Sequence, residues 1–137
     1  MEKINKLKSK FKELSLDGYL IPKNDEFFCE YVPKHKDDLQ YISNFTGSYG
    51  LALILKKKNF LFVDGRYSVQ ANIQSGKRFK VVTLPFIKNK FNLNLKKKKI
   101  GFDSKLFNEQ SIKYFSKKLG IRCISVKNNL IKLIKKK

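Results

Sequence analysis

At 137 residues, 42% of them hydrophobic, the chain is long enough for one domain with a buried core and too short for two comfortable ones. Its apolar runs are far shorter than the roughly 20 residues that span a membrane, and its N-terminus shows no secretory signal, so we expect a cytoplasmic protein. The net charge of +20 would suit a nucleic-acid partner. However, only three of the 31 basic residues are arginines, the residue type that favours recognition of bases and two-point binding of phosphate. We therefore interpret most of the charge as surface lysines exposed to solvent.

A stripe of apolar residues at intervals of three and four predicts an amphipathic helix over the first fourteen residues, with the stripe in the core. Its members are Ile4, Leu7, Phe11 and Leu14. Asp17 and Gly18 end this helix, and YLI before Pro22 predicts a short buried strand that the proline stops. The next segment, residues 22–35, carries two prolines and several carboxylates, and we expect a long connection of the kind that often carries function.

The middle of the chain predicts a helix, a hairpin and a second helix. The first helix covers Asp37 to Phe45 with Asp37 as its cap, and TGSYG, Thr46 to Gly50, is a tight turn. LALIL and FLFV, joined by KKKN, predict an antiparallel hairpin that is buried on both faces, because neither run alternates. Asp64 then stands where the N-cap of the next helix belongs, and Gly76 stands where that helix stops.

That helix should present one face to the protein, formed by Tyr67, Gln70, Ala71 and Gln74, while Val69 and Ile73 point elsewhere. KVVTL and IGF predict two more strands, with residues 86–99 as a surface loop between them. A helix from Asn108 to Leu119 stops at Gly120, leads to the strand IRCISV, and buries Ile112, Phe115 and Leu119. Alternating strands and helices with one hairpin predict an α/β fold: a single domain with a mixed β-sheet and flanking helices.

Residues able to carry catalysis are scarce. Cys29 and Cys123 are expected to be reduced thiols. A zinc site needs paired, closely spaced ligands and four donors. The nearest candidates lack that spacing; they are Cys29, the single histidine His35, and the neighbouring Asp37 and Asp38. The TGSYG turn lacks the lysine of a phosphate-binding loop, and its serine has neither a G-x-S-x-G setting nor an identifiable base. We therefore predict no catalytic residue and no metal site.

The DGRY sequence, residues 64–67, has a structural and a functional interpretation. Asp64 can cap the helix, Gly65 can allow the sharp turn, and Tyr67 can pack on the sheet. Arg66 fits less well, since arginine in the first helical turn opposes the helix dipole at a cost of a few tenths to about one kcal/mol. Either this is a chance mismatch or the arginine faces a partner, and spacing alone leaves both open.

Four segments in order resemble the N-terminal domain of the Xaa-Pro aminopeptidases, within the creatinase and prolidase group. They are GYLIP (18–22), EYVP (30–33), YISNFTGSYG (41–50) and DGRYSVQA (64–71). A weaker match continues from IGFD to VKNNLI, and the pattern looks most like the first domain of the long, three-domain form. The resemblance implies a ribonuclease H-like mixed sheet over residues 1–137, with 127–137 beginning a linker to a following domain.

In the family that this chain resembles, chemistry belongs to a later "pita-bread" domain that holds two divalent metal ions, manganese or zinc. Those ions serve the release of an N-terminal residue from peptides with proline in second position. The resemblance thus implies a non-catalytic chain, inactive alone, whose partners are that catalytic domain and the peptide. A homodimer of the full enzyme is compatible with it, and no membrane partner is implied.

By the same resemblance, Arg66 and Glu30 face the bound peptide. Asp64, Gly65 and Tyr67 hold the shape of the motif, as do four residues of the glycine turn: Thr46, Gly47, Ser48 and Gly50. The alternative function is a free-standing basic module that binds an acidic protein or nucleic acid.

Overall fold

The computed structural model describes residues 2–24, 32–47, 49–84 and 98–135 of the chain. The described residues form five α-helices and six β-strands. In chain order these are α1 (Glu2–Leu14), β1 (Gly18–Pro22), α2 (Asp38–Ser43), β2 (Leu51–Leu55), β3 (Asn59–Asp64), α3 (Ser68–Ser75), β4 (Lys80–Leu84), β5 (Lys99–Phe102), α4 (Glu109–Leu119), β6 (Arg122–Ser125) and α5 (Leu130–Lys135). Most of the two predicted loops, at 22–35 and 86–99, lies outside the described residues.

The six strands form one mixed sheet in the order β4-β3-β2-β1-β5-β6. Strand β2 runs antiparallel to both of its neighbours, and the other three adjacent pairs are parallel. Five strands therefore end at the same side of the sheet, where β2 begins. We call this side the carboxyl end. The predicted fold class, a mixed sheet with flanking helices, is confirmed.

The hairpin strands β2 and β3 are buried on both faces of the sheet, as the lack of alternation in their sequences predicted. In β2, Ala52 and Ile54 belong to one apolar cluster, whereas Leu51 and Leu53 belong to the other. The first cluster also contains core residues of α1, α2, α3 and α5, and the second contains core residues of α4. Within the described ranges no helix combines the length and the apolar character that crossing a membrane requires.

Local capping signals fix several helix ends where the sequence predicted them. The carboxylate of Asp37 accepts a hydrogen bond from the backbone N–H of Gln40, and Asn108 caps α4 in the same way. Gly120 ends α4 in the left-handed conformation, with φ of 65°. Helix α2 ends two residues earlier than predicted, at Ser43, because Asn44 takes a left-handed conformation and turns the chain.

Two predicted core residues are not fully buried. Leu14 is 46% exposed: it is the last residue of α1, and Ser15 turns the chain with a positive φ so that Leu16 enters the core instead. Ile112 is only partly buried and packs against the second apolar cluster, beside the buried Phe115 and Leu119.

Helix α5 is an element that the sequence pattern did not predict. Residues 130–135 form a helix in which Leu130 and Ile131 are completely buried. That residues 127–137 begin a linker to a following domain stays a prediction. Its core side faces α1 within the first apolar cluster. A helix of six residues is too short to show a helical periodicity in its sequence. Its apolar residues can therefore be assigned to the core only once the surface on which they pack is known.

Candidate functional site

The motifs singled out in the sequence meet at the carboxyl end of the sheet. The Asp64–Tyr67 segment follows the end of β3, and the Thr46–Gly50 turn precedes the start of β2. Because β2 and β3 are antiparallel, with Leu51 opposite Phe62, the two segments lie side by side although they are far apart in sequence. Three predicted residues, Cys29, Glu30 and Ser48, lie outside the described part of the chain.

Asp64 anchors the arginine through two hydrogen bonds. Its Oδ1 accepts from the backbone N–H of Arg66 at 3.0 Å and from Nε of the same residue at 3.3 Å. The predicted N-cap is therefore confirmed, and the helix that it starts is a 3₁₀ turn over Gly65–Tyr67 that runs into α3. The backbone hydrogen bond, assisted by the arginine charge, lowers the pKa of Asp64.

The rest of the Arg66 side chain points to solvent and is 76% exposed. Its guanidinium carbon lies 5.4 Å from the centroid of the Tyr67 ring, at cation–π range. Across the described ranges, no protein group accepts a hydrogen bond from its two terminal amino groups. The site thus fixes Nε and leaves a planar pair of exposed donors that have no hydrogen-bond acceptor among the described residues.

Tyr67 and the glycine turn are built around one buried ring, that of Phe45. The Tyr67 ring packs edge-to-face on Phe45, with centroids 6.0 Å apart. A Cβ at Gly47 would overlap the Cζ of Phe45, and a Cβ at Gly50 would lie 2.9 Å from Leu39 Cδ2. At Gly47 the backbone passes so close to the buried Phe45 ring that a side chain does not fit, whereas at Gly50 the nearest atom is the end of the Leu39 side chain.

Two glutamines join the turn to α3. The hydroxyl oxygen of Thr46 accepts from the side-chain amides of Gln74 at 2.9 Å and Gln70 at 3.1 Å, while its backbone N–H donates to Gln74 Oε1 at 2.9 Å. Gln70 and Gln74 share the predicted inner face, and Val69 and Ile73 are 71% and 76% exposed, as expected. The sequence placed the glutamines on one face but did not identify their partner.

Gly65 differs from the glycines of the turn. A Cβ at this position would meet nothing within 4 Å, and its φ lies outside the left-handed region. The described structure therefore gives no steric reason for glycine between Asp64 and Arg66, although the sequence suggested one.

A second polar cluster at the carboxyl end was missed by the sequence analysis. Asp38, Asp103 and Asn129 are all more than nine-tenths buried and share hydrogen bonds. Asp37, next to Asp38, caps α2 and forms an ion pair with Lys23. In sequence the three members of the cluster are separated by 26 and more residues, so only the fold reveals them.

No metal or thiol chemistry is supported by these residues. In the described ranges, no three side chains of histidine, cysteine, aspartate or glutamate converge on a point where one ion could bind. Cys123 is a free thiol, and burial raises its pKa, which makes it a poor nucleophile.

The fold, with the Asp64–Tyr67 segment and the Thr46–Gly50 turn at the carboxyl end of its sheet, defines a type of α/β domain that occurs within larger peptidases. The structure of X-prolyl aminopeptidase from Caenorhabditis elegans, described as a cytosolic enzyme with a di-nuclear active site, matches 96% of this chain and 25% of its own with a TM-score of 0.77 at 22% identity. The separate N-terminal domain of the cytoplasmic peptidase PepQ from Mycobacterium tuberculosis matches 97% of this chain over 98% of its own, with a TM-score of 0.72 at 20% identity.

The sequence comparisons agree with the fold. The model of the creatinase/prolidase N-terminal domain matches residues 3–134, and the chain belongs to that family. Xaa-Pro aminopeptidase 1 of Dictyostelium discoideum is 34% identical over 114 residues, which cover 79% of this chain and 18% of that protein. The chain thus spans about a fifth of the length of the curated relatives that it matches.

Proposed function

We propose that this domain acts within an Xaa-Pro aminopeptidase, where it helps to bind a peptide whose second residue is proline. The observation that carries the proposal is the Arg66 side chain, held through Nε by Asp64 at the carboxyl end of the sheet, with its terminal amino groups directed outward. Membership of the creatinase/prolidase N-terminal family and the names of the relatives supply the class of substrate.

The chemistry of the guanidinium suits this role. Its two terminal amino groups form a fork that can donate to a peptide carbonyl or to a carboxylate with two-point geometry. Asp64 restricts the rotation of the side chain and so reduces the conformational entropy lost on binding. Gly65 adds support, because the absence of a side chain lets a peptide approach the backbone next to Arg66. Glu30 stays a prediction as a second contact.

The reaction itself is assigned to another part of the enzyme. The described residues offer no set of three metal ligands and do not fit a dinuclear centre, so no step of the proposed role passes through a metal held by them. We assign the two divalent ions, manganese or zinc, to a pita-bread catalytic domain that this domain contacts. We also propose a cytoplasmic location, as described for the C. elegans relative, and compatibility with a homodimer.

The test uses a chimera in which this chain replaces the matching N-terminal segment of the Dictyostelium enzyme, assayed with a proline-second peptide. Arg66→Lys keeps the charge but removes the planar fork. We expect kcat/KM to fall about tenfold, since a hydrogen bond between charged groups contributes about 1.5–3 kcal/mol and 1.4 kcal/mol corresponds to a factor of ten. Arg78→Lys, in the 3₁₀ turn after α3, is the matched control and should leave turnover unchanged.

Wild-type kinetics for Arg66→Lys in an active chimera would rule out the substrate contact. An equal loss for Arg78→Lys would show that the effect does not depend on the position of Arg66, and would also contradict the proposed contact. The 137-residue chain alone is expected to release no amino acid, with or without manganese.

A further inference from the structure

One side-chain amide connects three elements at the carboxyl end of the sheet. The Nδ2 group of Asn129 donates to Asp38 Oδ2 at 3.0 Å and to Asp103 Oδ2 at 2.9 Å. Asp38 begins α2, Asp103 comes directly after β5, and Asn129 precedes α5. All three are at most 8% exposed.

The same residue also caps α5. Its Oδ1 accepts from the backbone N–H of Ile131 at 2.8 Å, and the hydroxyl of Tyr19 accepts from the N–H of Leu130 at 3.3 Å. Asn129 therefore uses both ends of its amide: the oxygen satisfies the start of the helix, and the nitrogen ties that start to two buried carboxylates.

These contacts carry a free-energy cost, because they bring two carboxylates close together in a buried place. Asp38 also accepts from Lys135 at 3.4 Å, and Asp103 accepts from the backbone N–H of Lys105 at 3.0 Å. Without the Asn129 amide, each of the two buried carboxylates would lose a hydrogen-bond donor, which is costly for a charged group out of contact with water.

Helix α5 has little else with which to maintain its conformation. It has six residues, a length at which an isolated helix is not stable in water. Its other described contacts are the packing of Leu130, Ile131 and Ile134 in the first apolar cluster and the contacts of Lys135. The Nζ of Lys135 donates to the His35 carbonyl and to Asp38, and it lies 4.8 Å from the centroid of the Tyr41 ring. Such an element is expected to open before the sheet does.

We propose that Asn129 is a clamp that decides whether α5 stays docked, and that α5 is a detachable element at the end of the domain. The clamp consists of the Asn129 amide with Asp38 and Asp103. Because α5 is the last described element, and the relatives are much longer than this domain, its docking would determine how rigidly the domain is joined to the next domain of such a chain. This inference does not depend on the role of Arg66.

The test compares hydrogen exchange of the α5 amides in the full 137-residue chain and in Asn129→Ser. Serine is as good an N-cap as asparagine, but it lacks the amide group that donates to the carboxylates. We expect α5 to exchange at least about a hundredfold faster while the amides of β1 are unchanged, the size expected when two hydrogen bonds to charged groups are lost. The control is Asn108→Ser, which changes the cap of α4 and should leave both regions unaffected.

Wild-type protection of α5 in Asn129→Ser would overturn the proposal, because capping alone would then hold the helix. Equal loss of protection in α5 and β1 would also overturn it, since α5 would then not open separately. If the variant does not fold, the test is hydrogen exchange of the wild-type chain at low denaturant concentration. We expect the α5 amides to exchange through an opening of lower free energy than the β1 amides. Opening of both elements at the same free energy would refute a detachable helix.

Discussion

The close packing of the glycine turn on Phe45 makes Gly47→Ala a quantitative test of the site. The added Cβ would lie 2.8 Å from both Cε atoms of the Phe45 ring and would overlap its Cζ. Phe45 is completely buried and supports Tyr67, so the ring cannot move without disturbing its neighbours. Overpacking of this kind costs about 1–3 kcal/mol. At about 4 °C per kcal/mol for a domain of this size, Tm should fall by about 4–12 °C.

Gly65→Ala is the matched comparison, because the same Cβ would meet nothing there. Its stability should be unchanged or higher by about 0.4–1 kcal/mol, through the reduced entropy of the unfolded chain. Both variants are measured by thermal and urea unfolding of the 137-residue chain, monitored by circular dichroism. The reasoning fails if Gly47→Ala melts with the wild type, or if Gly65→Ala is destabilised as much as Gly47→Ala.

Two further predictions concern pH. Burial raises the pKa of Asp38, so protonation of this group favours the folded state: the associated stability is present at low pH and is lost as pH rises through the folded-state pKa. The urea midpoints of wild type and Asp38→Asn are compared at several pH values. As pH falls from about 7 towards about 4, the midpoint of the wild type should rise relative to that of Asp38→Asn. A difference between the two midpoints that does not change with pH would contradict the prediction. The backbone N–H of Arg66 lowers the pKa of Asp64, so the stability it contributes is present above about pH 4 and lost at lower pH. Carboxyl-carbon NMR should show this lowered pKa in wild type and still in Arg66→Lys, which keeps the main-chain donor; an ordinary value in the wild type would refute the cap geometry.

Elements with local signals could be predicted from the sequence. Asp37, Asp64 and Asn108 all act as caps, because an N-cap is satisfied by backbone N–H groups two or three residues away. The hairpin was predictable for a similar reason, as two apolar runs separated by a short polar turn leave few alternatives. The prediction that Leu14 is a core residue was wrong, since its side chain is half exposed. Periodicity assigns a residue to one face of a helix, but it does not show where the helix ends relative to the sheet.

The features that the sequence could not reveal depend on contacts between distant residues. Thr46 meets Gln74 across 28 positions, and Asn129 meets Asp38 across 91. A polar residue that pairs at such a distance looks in sequence like any surface residue. The spacing of Arg66 left two interpretations open, a chance mismatch or a partner contact, and the partner contact stays a prediction. The fold adds that Asp64 offsets the local charge mismatch, and that the terminal amino groups have no hydrogen-bond acceptor among the described residues.

Helix α2 relates the two polar features of the carboxyl end to each other. Asp38, at its start, is a member of the clamp, and Phe45, just beyond its end, supports Tyr67 next to Arg66. Helix α2 and its C-terminal flank therefore contact both features: the clamp through Asp38, and the ring next to Arg66 through Phe45.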